Sequence, residues 1–322
     1  DGRKDDWPPS QFFQWKGWEK MGQANAMCRR TYGMIKDSVR KTEVLIYHPV
    51  ESFWLHYIPD QGFTHGFHMG PLIQGEQAAH IDRQEQILLN ELQEHNRDFT
   101  VFPSDATDQF KVENGRLVNK NTNQQYAAFV LPMCQVLPLE SARMLEEFAA
   151  QGGYIAVMET VPEYSMMEAQ DGELKEIMKR IMDAPNTSFF EDMDTKALLM
   201  WLLEAVPQGM RIVEGTDGLK KNLLHYPDWV IDPYIHTGED MSGVSWTAFE
   251  DQGTKYYFVN YTDEVQEITV QVCSGILPEI WDTYTGAIEP AQVVEEKRDG
   301  NGTQYQIRMR LPKDYGVFLV TG

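Results

Sequence analysis

The sequence predicts an open, mostly parallel α/β sheet followed by an antiparallel β-sandwich. Three observations predict it. Residues 125–159 (QYAAFVLPMCQVLPLESARMLEEFAAQGGYIAVME) read as one strand–helix–strand unit. Strand-like and helix-like patterns alternate between Glu43 and Val213. From about His225 the apolar period falls to two and stays there to the end of the chain.

The elements follow in order. Residues from about Lys20 to Arg40 carry helical periodicity, and Glu43–Tyr47 (EVLIY) is a compact buried-strand run, expected to begin the sheet. A connection from His48 to Gly75, dense in Gly, Pro, His and aromatics, comes next and is far longer than the usual ~2–6 residues of a strand-to-helix loop. Gln77–His95 places Ala78, Ile81, Leu88 and Leu92 on one helical face, and Asp98–Phe102 is a second strand. Asn114-Gly115 lies between short alternating segments, a hairpin signal, and this hairpin is expected to decorate the sheet edge. Tyr126–Leu131 is an apolar run stopped by Pro132. Pro138 opens a helix with Leu139, Ala142, Leu145, Phe148 and Ala149 on one face. Gly152 and Gly153 supply the left-handed stop, and Tyr154–Met158 resumes as strand. A crossover of this length makes its two strands parallel and its hand right. Further helices are expected at Glu173–Met182 and Thr195–Ala205, the second capped by Asp194, with Met210–Val213 as a last strand of this sheet. The layer order is flavodoxin- or Rossmann-like.

The C-terminal part reads differently. Lys255–Asn260 (KYYFVN) is strand-like; Ile268, Val270 and Val272 alternate with polar residues, as do Tyr305, Ile307, Met309 and Leu311. Turn signals at Asp251-Gln252-Gly253, Thr285-Gly286 and Asp299-Gly300-Asn301-Gly302 separate the strands at sandwich-like spacing. Three regions result: 1–42, a packing arm or the end of a preceding domain; 43–222, the α/β domain; and 223–322, the sandwich.

Composition narrows the function classes. The 28 basic and 49 acidic residues give a formal charge of −21, which opposes nucleic acid and anionic membranes as partners. No apolar run approaches the ~20 residues of a membrane span. The three cysteines, Cys28, Cys134 and Cys273, are widely spaced, form no CxxC pair and fit a reducing compartment. The opening DGRKDDWPPSQFFQW has neither a basic nor an apolar signal region and is expected to continue a longer chain. Trp7, Phe12, Phe13, Trp15 and Trp18 crowd into twelve positions and are expected to pack on a neighbouring domain.

Candidate chemistry centres on the 48–80 segment, because it leaves the carboxyl end of a sheet strand, the edge where open α/β sheets bind ligands. An aromatic platform beside carboxylates and imidazoles suits the C–H faces and hydroxyl edges of a sugar, and Glu51, Trp54, His56, His65 and His68 are the substrate-binding candidates. A loop packed on an adjacent domain is the other reading. His65 and His68 have H-x-x-H spacing, but no regular helix underlies it, so no metal is assigned. Acidic pairs such as Glu163/Glu168 and Glu191/Asp192 read as solvated surface, and Glu159 as a polar strand terminus. Cys134 follows a strand, yet Pro132-Met133-Cys134-Gln135 lacks the small residues of a nucleophile elbow, so it reads as a small buried apolar residue. No G-x-G-x-x-G or Walker loop follows any strand, and no cofactor is expected.

Several stretches together resemble a known arrangement. DDWPPSQFFQWKGW followed by CRRTYGMI looks like the end of a catalytic barrel, and EVLIYHPVESFW like the start of a following domain. QQYAAFVLPMCQVLPLESARMLEEFAAQGGYIAVME is similar to that domain's later strand–helix–strand, and GTKYYFVNYTDE and ILPEIWDTYTGAIEP resemble sandwich strands. The chain thus resembles the C-terminal region of α-L-rhamnosidase-like multidomain glycoside hydrolases, in which a (β/α)8 barrel precedes a flavodoxin-like domain and β-sandwiches. The resemblance implies a preceding catalytic barrel as partner, a carbohydrate substrate reached through the parent enzyme, and no catalytic residue in this chain. The alternative is a stand-alone carbohydrate-binding or oligomerisation module.

Overall fold

The computed structural model describes residues 16–57, 75–215, 243–262, 264–299 and 302–322. Helix α1 (Met21–Ile35) ends sooner than its periodicity suggests, because residues 39–41 are extended as strand β1 (Val39–Lys41). That strand pairs antiparallel with residues 248–250, more than two hundred positions away, with Val39 opposite Glu250 and Lys41 opposite Ala248. Thr42 and Glu43 alone separate it from β2 (Val44–Tyr47), so the chain passes from one sheet to another within two residues.

After β2 come α2 (Val50–His56), α3 (Glu76–Glu94), β3 (Thr100–Phe102), β4 (Phe110–Glu113), β5 (Arg116–Asn119), β6 (Gln125–Tyr126), β7 (Ala128–Leu131), α4 (Leu139–Ala150), β8 (Tyr154–Met158), α5 (Asp171–Met182), β9 (Thr187–Phe190) and α6 (Thr195–Ala205). Five strands form a parallel sheet in the order β3-β2-β7-β8-β9, which is 2-1-3-4-5 when its members are counted along the chain. Every residue of β2 and β7 is buried, because the sheet is covered on both faces. On one face Leu45, Phe129 and Val157 pack on Leu145 and Phe148 of α4 and Leu174 and Ile177 of α5. On the other, Val44, Val130 and Ala156 pack on Ile81 and Leu88 of α3 and Leu198 and Leu202 of α6.

Local signals hold well here. Asp194 caps α6 by accepting from the Ala197 amide at 3.0 Å. Asn114 (φ 54°) and Gly115 (φ 72°) make the tight turn between β4 and β5, which with β6 form a small antiparallel sheet. Gly152 takes φ 96° after α4, and at Gly153 a Cβ would collide with the Phe148 ring, so the close helix-to-strand return admits nothing larger.

The remaining strands are β10 (Met210–Glu214), β11 (Val244–Glu250), β12 (Thr254–Asn260), β13 (Gln266–Ser274), β14 (Glu279–Asp282), β15 (Ile288–Pro290), β16 (Gln292–Asp299), β17 (Gly302–Leu311) and β18 (Val317–Val320). They build two antiparallel sheets, β1-β11-β12-β18-β14-β15 and β10-β13-β17-β16. The alternating residues share one core: Ile268, Val270, Val272, Tyr305, Ile307, Met309 and Leu311 from one sheet meet Val244, Phe258, Val317 and Leu319 from the other.

Two expectations need correction. Met210–Val213 is not the last strand of the parallel sheet; β10 pairs antiparallel with β13, with Met210 opposite Val272. The fifth parallel strand is β9 instead, whose Thr187, Ser188 and Phe189 are not buried, so it lacks the apolar run that marks its neighbours. The segment after β2 also begins as a helix and not as a loop: α2 starts three residues past the strand.

Candidate functional site

Because β2, β3, β7 and β8 run parallel and adjacent, their carboxyl ends share one edge, and the crevice where the strand order reverses lies between β2 and β7. The residues delivered there are Tyr47 and His48 from β2, Ser104 after β3, Cys134 to Val136 after β7, and Glu159 at the end of β8.

Helix α2 reaches across this crevice. The Ser52 hydroxyl oxygen accepts the backbone N–H groups of both Gln135 and Val136, each at 2.9 Å. At the end of the same helix, His56 Nε2 lies 2.5 Å from the Gln135 side-chain oxygen, within hydrogen-bond distance. The amides that an open sheet would offer to a ligand are thereby occupied by the protein's own serine.

Glu51 is buried beneath α2. Its carboxylate accepts from the Tyr47 hydroxyl at 2.6 Å and from the Ser104 hydroxyl. Burial pushes the Tyr47 phenol far up, with Cys134 and Glu51 adding to the effect, so Tyr47 remains a donor throughout the neutral range. Both oxygens of Glu51, one of the sugar-binding candidates, are thus engaged within the protein, on Tyr47 and Ser104.

Cys134 is buried, and its thiol donates to the Val136 carbonyl at 3.1 Å. Burial pushes its pKa up to about 12, which leaves almost no thiolate at neutral pH and agrees with a packing role. A second buried carboxylate, Glu85 of α3, takes His48 Nδ1 at 2.8 and 3.0 Å from its two oxygens. This hydrogen bond raises the His48 pKa above the ordinary histidine value, against the opposing effect of burial. Glu159 has φ 61°, and its carboxylate lies 3.6 Å from His80 Nε2.

Of the five sequence candidates, Glu51 is internal, His56 is half-buried on Gln135, and Trp54 is 60% exposed beside exposed Leu55. His65 and His68 lie outside the described residues. Among the described residues no cluster of three His, Cys, Asp or Glu has metal-binding geometry. The His48–Glu85 pair was missed, although a signal exists. Glu85 falls between Ile81 and Leu88 on the apolar face of α3, and a carboxylate at a core position requires a partner.

No protein-family model matches the chain, and no curated protein matches it in sequence. Solved structures do match. A structure of rhamnosidase from Novosphingobium sp. PP1Y is similar at TM-score 0.61 and 17% identity, over 97% of this chain and 26% of that one. The fold of this chain is similar to that of part of the rhamnosidase structure. A catalytic mutant of a GH42 β-galactosidase from G. stearothermophilus is similar at TM-score 0.50 and 12% identity, over 95% of this chain and 44% of the other. The chain thus spans about a quarter of the rhamnosidase and less than half of the β-galactosidase.

Proposed function

We propose that this chain is a non-catalytic C-terminal portion of a glycoside hydrolase, supporting a catalytic barrel and contributing its 48–80 segment to sugar binding. The observation that carries this reading is the similarity of 97% of the chain to 26% of a rhamnosidase. In it the parallel domain is flavodoxin-like, a view supported by the 2-1-3-4-5 strand order, and the paired antiparallel sheets are a β-sandwich, supported by their shared core. The inward use of Glu51, Ser52, Glu85 and Cys134 also favours it, since the groups best placed for chemistry are engaged in holding the edge together. Trp54 and Leu55 leave an apolar surface beside His56, suited to a sugar face or to a barrel rim.

The test is to assay this chain with aryl α-L-rhamnoside and aryl β-D-galactoside. No turnover above background is expected. Turnover that disappears on Glu51→Gln or Glu159→Gln would overturn the proposal. The exposed Trp54 and Leu55 also favour a second reading, a stand-alone carbohydrate-binding or oligomerisation module. Calorimetric glycan binding by this chain, lost in a folded Trp54→Ala variant, or a dimer in sedimentation that the same variant dissociates, would favour the second reading over the first.

A further inference from the structure

Among the described residues, Arg97 is a buried cation whose terminal nitrogens have no hydrogen-bond partner. It lies just past α3, where Asn96 turns the chain with φ 55° and the Arg97 amide bonds back to the Leu92 carbonyl at 2.7 Å. The residue is 3% exposed, and neither Nη1 nor Nη2 has a hydrogen-bond partner. Leaving buried donors of a cation unfilled is unfavourable, so a structure that keeps them needs a reason.

The nearby carboxylates do not supply one. Asp98 accepts from Arg40 Nη2 at 2.5 Å, from the Thr247 hydroxyl at 2.8 Å and from the Thr42 hydroxyl at 3.2 Å. Glu43 is taken by Arg116 Nη1 at 2.6 Å. Three arginines therefore face two carboxylates, and Arg97 is the one left over. Burial lowers its pKa to about 10, with Glu43 and Asp98 resisting the shift, so it stays a cation at neutral pH.

Arg97 lines a cleft of about 260 Å³ between the parallel domain and the antiparallel sheets, together with Phe99, Trp246, Tyr257 and Tyr261. Trp246 Nε1 is likewise buried without a partner. The lining thus includes two orphan donors, one from each part of the chain, a positive charge and several aromatic rings. A planar carboxylate matches a guanidinium fork, and a small organic body suits the aromatic wall.

We propose that this interdomain cleft binds a small organic carboxylate, seated on Arg97 with the Trp246 indole N–H as its second donor. Ligand binding then fills the orphan donors and ties the two parts of the chain together.

The experiment measures the thermal midpoint of the whole chain against glucuronate, glucose and inorganic sulfate at constant ionic strength. Glucuronate is expected to raise the midpoint saturably and glucose to leave it unchanged, because only binding to the folded state shifts it. Arg97→Met should abolish the rise, and Trp246→Phe, which removes one N–H and little volume, should weaken binding about fivefold. A rise that survives in Arg97→Met, or glucuronate acting no better than glucose, overturns the site. A response to sulfate without one to glucuronate overturns the carboxylate assignment. Should Arg97→Met fail to fold, unchanged binding in Trp246→Phe refutes the geometry by itself.

Discussion

Replacing Ser52 by alanine tests whether α2 is clamped over the sheet edge by one hydroxyl. In the native chain that oxygen accepts two amides at 2.9 Å each, and alanine leaves both without a partner. An orphaned buried donor costs ~1–3 kcal/mol; with Gln135 only half-buried, the pair amounts to about 2–5 kcal/mol. The loss is local, so a local readout is preferable to a global midpoint in a chain whose described residues form three core clusters. Cys134 provides it, standing next to Ser52 in the same junction. With its pKa near 12 against an ordinary ~8.5, its thiolate fraction at pH 8 is lower by roughly 10³, before any barrier to access. Exposed Cys28 and Cys273 serve as fast internal references in an iodoacetamide time course followed by peptide mass spectrometry. If the clamp is worth 2 kcal/mol or more by this estimate, Ser52→Ala should label Cys134 at least about 30-fold faster than the parent chain. Labelling within threefold of the parent, with an unchanged urea midpoint, would refute the clamp.

The other two predictions concern charge and packing. Glu85 raises the His48 pKa, so the stabilisation from this pair is complete below about pH 6.5 and is lost as pH rises through the folded-state value. Glu85→Gln should flatten that pH dependence and lower the His48 midpoint in an NMR titration; a midpoint that stays put would show that another group holds the proton. Gly153→Ala drives a methyl group into the Phe148 ring. Overpacking of this kind costs ~1–3 kcal/mol, or about 2–4 °C of melting temperature per kcal/mol in a domain of this size. A variant that melts with the parent chain would mean that the ring moves aside freely.

The parts that the sequence made legible are those decided between neighbours. The helix α4 and strand β8 follow from Pro138, an apolar face and a glycine pair within some twenty residues, and the Asn114-Gly115 turn from two residues. The alternation of β13 and β17 named their buried faces correctly, since a strand's two sides are fixed by its pleat. Strand β9 escaped because three of its four residues are not buried, and β10 was read as strand but given to the wrong sheet. At the candidate site, Trp54 and His56 could be placed near a strand end, whereas Glu51 looked available to a ligand although it is turned inward.

What the sequence by itself determined is therefore the periodicity, the turns, the acidic balance and the division into an alternating half and a period-two half. Tertiary structure alone decided which strand partners which, as when β1 leaves the first half to pair with β11. It also decided which polar groups meet: Ser52 with the Gln135 and Val136 amides, Glu85 with His48, and Arg97 with no hydrogen-bonded carboxylate among the described residues. The physical reason is one of range. Local conformation depends on a few adjacent side chains, but the partner of a buried donor or a strand edge can lie more than two hundred residues away and is fixed only when the cores close.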